Sequence, residues 1–142
     1  APGRRVGCEA YLEQAGIPWS TVRVAVGHGT TRGGYAAAAR LLTDHPWLTG
    51  LVCGNDRMAM GAYDAIREQG LRVRDDVAVI GIDDQELIAD QLHPALTTVA
   101  LPFEEMGQVA ASHLLALMEG EEVPAETLLP GQIIRRSSAW HP

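Results

Sequence analysis

The sequence predicts an α/β fold: a Rossmann-like, mainly parallel sheet flanked by helices. Three observations carry this. Short apolar runs alternate with helical stretches of roughly a dozen residues, the succession of βαβ units. Three of those runs end in Gly27-His28-Gly29, Gly54-Asn55-Asp56 and Asp83-Asp84, small or polar residues suited to strand ends. The 142 residues are enough for one substantial core, and no internal repeat interrupts the alternation.

The elements follow in order. Residues 4–15 (RRVGCEAYLEQA) form a helix stopped by Gly16, with Pro18 beyond it. "TVRVAV" (21–26) is short and β-branched, hence a strand. "GGYAAAARLLTDH" (33–45) is rich in alanine and leucine, hence a helix, and "TGLVC" (49–53) is a second strand. In residues 56–70, Ala59, Ala62, Tyr63 and Ile66 make the i, i+3, i+4, i+7 stripe of an amphipathic helix closed by Gly70. "DVAVIGI" (76–82) is apolar on both faces, as in a strand covered on both sides. A polar segment (85–92) leads to "ALTTVAL", and Pro102 sits in the first turn of a helix that Gly120 ends. After the acidic, linker-like stretch 119–126, two short strands near 127–129 and 132–136 close the chain. The first element is a helix, so the strand expected before it is missing.

Composition narrows the function. The net charge is −7, which does not attract phosphate backbones, so this chain is not expected to grip nucleic acid by itself. All eleven basic residues are arginine, which removes a P-loop or Schiff-base lysine. Cys8 and Cys53 are far apart with no C-x-x-C, consistent with a reduced, cytoplasmic setting. No apolar run approaches the roughly eighteen residues of a membrane helix, and no signal-peptide pattern is visible. G-x-S-x-G and H-E-x-x-H are absent and the histidines are not spaced for a metal, so neither catalysis nor a cofactor is expected. "VGHGTTRGGY" (26–35) opens a helix after a strand but fails the dinucleotide spacing, because Arg32 holds the third glycine position. Met58, Met60, Met106 and Met118 fall at helical positions and are expected in core or subunit contacts.

Ligands of open α/β sheets bind at the carboxyl ends of the strands. Asn55 and Asp83 are about one βαβ repeat apart, so their side chains can converge there. Each has a structural rival. Asp56 is a good N-cap for the following helix, Asn55 could serve turn amides, and one of Asp83 and Asp84 is expected to cap the next short helix. The assignment adopted is Asp56 and Asp84 as caps, with Asn55 and Asp83 left for a ligand. Arg4 and Arg5 usually mark a solvated face, yet a cation at a helix start opposes the dipole and hints at a carboxylate or polyol partner.

The ordered set N-D-x-M-A-x-G-A (55–62), V-x-V-x-G-x-D-D (77–84), P-x-L-T-T-V (94–99) and E-E-M-G (104–107) resembles the effector-binding domain of the lactose- and galactose-repressor family of bacterial transcription regulators. The likeness runs from Arg4 to about Ser138. It implies a periplasmic-binding-protein-like lobe, incomplete here: residues 1–96 as the second lobe without its first strand, 97–124 as a crossover and helix belonging to the first lobe, and 125–142 as return strands. It also implies ligand contacts at Arg4 (three residues before Gly7), Asn55 and Asp83. The implied partners are a small carbohydrate-like effector, a second copy of the chain through the helix bearing Met60 and Gly61, and DNA only through an N-terminal headpiece that this sequence lacks. Two positions depart from the pattern. His28-Gly29 stands where an aromatic often stacks on the ligand, and Leu101 where a glutamine is frequent. Both remove standard sugar contacts and point to an atypical, smaller or less polar ligand. Two alternatives stay open: a periplasmic-type sugar carrier of a transport system, and a nucleotide-dependent α/β enzyme built on the Gly27–Gly34 loop.

Overall fold

The structure, a computed structural model, describes residues 2–139, so the last three residues of the expected 125–142 return segment lie outside it. Four helices and four strands follow one another: α1 (Pro2–Gln14), α2 (Thr31–Asp44), β1 (Gly50–Val52), α3 (Asp56–Glu68), β2 (Ala78–Asp83), β3 (Thr97–Ala100), α4 (Phe103–Met118) and β4 (Gln132–Ile134). The sheet order is β1-β2-β3-β4. The first three strands are parallel, with Val52 opposite Ile80 and Asp83 opposite Ala100, and β4 runs antiparallel to β3. This is the mainly parallel α/β sheet expected, and its parallel register brings the carboxyl ends of β1, β2 and β3 to one rim.

The core lies between α3, α2 and one face of the sheet. The stripe read from the sequence is the buried face of α3: Ala59, Ala62, Tyr63 and Ile66 are all at most 1% exposed. They pack with Ala38 and Leu42 of α2, Val79 of β2 and Leu96. Burying an isoleucine or leucine here is worth about 1.5–3 kcal/mol. At the crossing of α2 and α3 a Cβ on Gly34 would come within 2.3 Å of the Met58 carbonyl oxygen. A Cβ on Gly61 would come within 2.0 Å of the Thr31 carbonyl oxygen. Only residues without side chains let the two backbones approach this closely.

Several expectations are corrected. Residues 22–26 carry no ladder hydrogen bonds among the described residues: a 3-10 turn at Trp19–Thr21 precedes them, and Val24 and Val26 are exposed. β-Branched residues supply propensity, but a strand needs a neighbour, and no described strand lies beside this segment. Residues 127–129 are irregular and Leu128 is exposed, so among the described residues one short strand, β4, returns. β2 is fully covered on one face only: Val79 and Gly81 are buried, while Ile80 and Ile82 are half-buried. Pro102 stands just before α4 rather than in its first turn. Of the methionines expected in core or subunit contacts, Met58 packs against the core, while Met106 and Met118 are exposed on α4, which does not contradict a subunit contact. Gly61 is consumed by the contact with α2. α4 buries none of its residues, although Phe103, Leu114, Leu115 and Leu117 are all large and apolar.

Candidate functional site

The site is assembled at the common rim of β1, β2 and β3. Arg4, one turn into α1, reaches across the strand ends: Nη1 donates to the Gly54 carbonyl at 2.7 Å and Nη2 lies 3.3 Å from Asp83 Oδ1. A guanidinium near a helix start is thus balanced by a carboxylate 79 residues away in sequence, which resolves the conflict with the helix dipole. Asn55 follows Gly54 directly. Arg4 and Asp83 are thus in contact, and Asn55 adjoins the Gly54 carbonyl that Arg4 holds, so the three positions share one strand-end rim.

The cap expected of Asp56 is made by Asn55 instead. The N-cap of α3 is Asn55, whose Oδ1 accepts from the Met58 N–H at 2.9 Å while Nδ2 donates to the Gly29 carbonyl at 3.1 Å. Its amide still holds one N–H and one lone pair for a ligand. Asp56 is the first helical residue and is fully buried. Its Oδ2 accepts from the Gln85 N–H at 2.8 Å and its Oδ1 from the Thr98 hydroxyl at 2.6 Å. Burial pushes the Asp56 carboxyl above the usual range; the two hydrogen bonds pull it back, and the charges of Asp83 and Asp84 push it further up. Asn55 can take the cap because its extended backbone aims the short amide at the first turn, which leaves Asp56 to point inward.

Asp83 and Asp84 end β2 with consecutive positive φ angles of 111° and 52°. Aspartate tolerates the left-handed region better than most residues, but 111° lies beyond that well and costs strain. Asp84 caps no helix, because the segment that follows is a series of turns. Its Oδ1 instead pairs with Arg136 Nη1 at 2.7 Å, and Arg136 also donates to the Leu96 carbonyl. The sequence reading missed Arg136, Thr98 and Gln85. The one available signal was the Arg135-Arg136 pair just after the last strand of an acidic chain.

His28 sits at φ 52° in the turn before α2, exposed and one residue from the Gly29 carbonyl that Asn55 holds. That turn is folded on itself. The Thr30 hydroxyl accepts from the Gly33 N–H at 3.0 Å, and a Cβ on Gly33 would come within 1.9 Å of the Gly27 carbonyl oxygen. The Gly33 amide is thus engaged within the turn, and Gly27 and Gly33 serve its close packing. Leu101 follows β3 and lines two shallow depressions of about 600 and 410 Å³ together with Pro102 and Glu105. Neither is lined by Arg4, Asn55 or Asp83. Both depressions mix apolar and polar lining, with Glu105 in each.

Beneath the rim, burial pushes the Cys53 thiol up to about 12, with the Asp56 carboxylate adding to it. At pH 8 only about one Cys53 in 10⁴ is then a thiolate. With Ellman's reagent, the half-buried Cys8 of α1 is expected to react and Cys53 to stay silent until denaturant is added. Rapid modification of both thiols in the folded chain would contradict the buried placement.

The sequence model of the periplasmic binding protein-like domain matches residues 2–139. The HTH-type transcriptional repressor PurR of Yersinia pestis is 37% identical over 142 residues, covering 99% of this chain and 41% of that protein. The lactose operon repressor of Escherichia coli is 34% identical over 139 residues, covering 98% of this chain and 38% of that protein. The chain thus spans about two fifths of the length of these curated relatives. Among solved structures, the lac repressor dimer bound to operator and the anti-inducer ONPF superposes with a TM-score of 0.89 at 32% identity, over 97% of this chain and 47% of that one. A LacI family transcriptional regulator from Arthrobacter in complex with lactose superposes with a TM-score of 0.79 at 32% identity, over 92% of this chain and 49% of that one. The chain belongs to the periplasmic binding protein-like domain family, and its relatives in sequence and in structure are repressors of the PurR and lactose-repressor kind.

Proposed function

We propose that this chain is the effector-sensing part of a cytoplasmic bacterial transcriptional repressor, not an enzyme, and that Arg4, Asn55 and Asp83 form one wall of a site for a small carbohydrate-like ligand. The observation that carries this is the meeting of the three groups at the strand-end rim, with Arg4 within hydrogen-bond reach of both Gly54 and Asp83. A carboxylate accepting from two hydroxyls, a planar guanidinium donating, and an amide doing both suit a polyol. His28 and Leu101 stand where the family often has an aromatic and a glutamine, so lactose, the sugar held by the Arthrobacter relative, serves as the carbohydrate probe and is expected to bind weakly.

In the division into residues 1–96, 97–124 and 125–142, the placement of α4 with the other lobe is supported by its apolar side chains, which find no burial in this one, whereas residues 97–100 are β3 of this lobe's own sheet. In this reading the effector binds between two lobes and biases their closure. A homodimer then presents DNA-reading headpieces, located outside this chain, with altered affinity. An effector shifts that equilibrium only by its differential affinity for the two arrangements, typically about 1–3 kcal/mol. No helix among the described residues is long and apolar enough to cross a membrane.

Calorimetric titration of the protein with lactose, adenine and NAD tests the reading. Saturable lactose binding is the expected result. Saturable NAD binding with indifference to the other two would replace the sensor with a nucleotide-dependent enzyme.

A further inference from the structure

The geometry points to Asp56 as a positioning residue: it holds the strained Asp83-Asp84 turn in the conformation that presents Asp83 to the ligand. The inference rests on the ligand-wall reading above. Asp83 and Asp84 have φ angles that a free chain seldom adopts, so something must over-determine them. The residue immediately after them is Gln85, whose N–H ends on the buried carboxylate of Asp56 at 2.8 Å. The other carboxylate oxygen is fixed by the Thr98 hydroxyl on β3, and Thr98 is opposite Gly81, two residues before Asp83. Asp56 therefore grips the turn from its far side and braces it against the next strand.

Gly81 completes the arrangement. A Cβ there would come within 2.1 Å of Asp56 Oδ1, so the carboxylate occupies the space that any other residue would fill. Around the turn stand Arg4 on the Asp83 side and Arg136 on the Asp84 side. These two guanidiniums fix side-chain oxygens, whereas Asp56 takes the backbone N–H. A fully buried carboxylate beside two other carboxylates is costly to keep, and as a helix-start residue it is not needed, because Asn55 already caps α3.

The test uses Asp56→Asn, Thr98→Val and Thr98→Ser in the chain as it stands. The first turns one of the two acceptors into a donor. The second removes the hydroxyl at nearly constant shape, and the third restores it. In nuclear magnetic resonance spectra, Asp83 and Asp84 of the native chain should show the strong intraresidue amide–Hα cross-peaks of positive φ. Both should weaken in Asp56→Asn and Thr98→Val and return in Thr98→Ser. Lactose affinity should fall about tenfold in the first two variants, as expected for one hydrogen bond to a charged group, and recover in the third. The melting temperature is followed in parallel: a general loss of packing would lower it without altering those two residues selectively.

Unchanged cross-peaks in Thr98→Val would overturn the inference, and they decide it even if Asp56→Asn does not fold. Absence of lactose binding by the native chain would instead count against the carbohydrate reading, and the cross-peaks would still decide the role of Asp56.

Discussion

Gly34→Ala is expected to destabilise the fold by about 2–3 kcal/mol, the cost of forcing a methyl group into a filled contact. Helix propensity alone predicts the opposite sign, since alanine is favoured over glycine by about 1 kcal/mol inside a helix. Geometry wins because the atoms in the way belong to backbone. The new Cβ would lie 2.3 Å from the Met58 carbonyl oxygen and 2.5 Å from its Cα, and neither can swing aside without moving α3. The helices must separate, and Ala59, Ala62, Tyr63 and Ile66 then lose part of the packing that anchors α3. Gly61→Ala strikes the same crossing from the other helix, so the two effects will not add.

Gly107→Ala supplies the internal control. Gly107 lies in α4 with nothing within 4 Å of its would-be Cβ, so only propensity acts there and a gain of up to about 1 kcal/mol is expected. Urea denaturation followed by circular dichroism reads all three variants. If Gly34→Ala proved as stable as the native chain, α2 and α3 could not be packed backbone to backbone.

The contrast between α3 and residues 21–26 explains what could be read from the sequence. The α3 stripe is legible because its period, its amphipathic face and its burial are properties of one contiguous segment. Residues 21–26 have strong β propensity, yet pairing is a property of two segments, and no described strand pairs with this one. The same limit applies to 127–129, where alternation is too short to specify a register and Pro130 and Gly131 follow at once. At the site, the convergence of Asn55 and Asp83 follows from the rule that parallel strands deliver their carboxyl ends to one rim. The choice between Asn55 and Asp56 as cap was not legible. Both residues cap well, and the outcome is decided by Thr98 and Gln85, which lie 42 and 29 positions away from Asp56. The pairing of Asp84 with Arg136 was hidden for the same reason.

Asp83→Asn should weaken lactose binding about a hundredfold while changing stability by less than about 1 kcal/mol. The substitution is chosen because asparagine matches aspartate in shape and tolerates positive φ comparably, so the strained backbone at Asp83 is retained. What disappears is charge. A neutral amide accepts from only one oxygen, and its NH₂ faces Arg4 as donor against donor. Hydrogen bonds to a charged group are worth about 1.5–3 kcal/mol each, and losing one such contact with part of a second gives the hundredfold figure. Stability should barely respond, because the Arg4–Asp83 pair is partly open to water, with side chains 39% and 16% exposed. This separation of affinity from stability distinguishes a ligand-facing carboxylate from one serving the fold. Calorimetric titration and thermal melting of the same variant measure both quantities. Lactose affinity within threefold of the native value would remove Asp83 from the ligand wall, and with it the reason for Arg4 to lean across the strand ends.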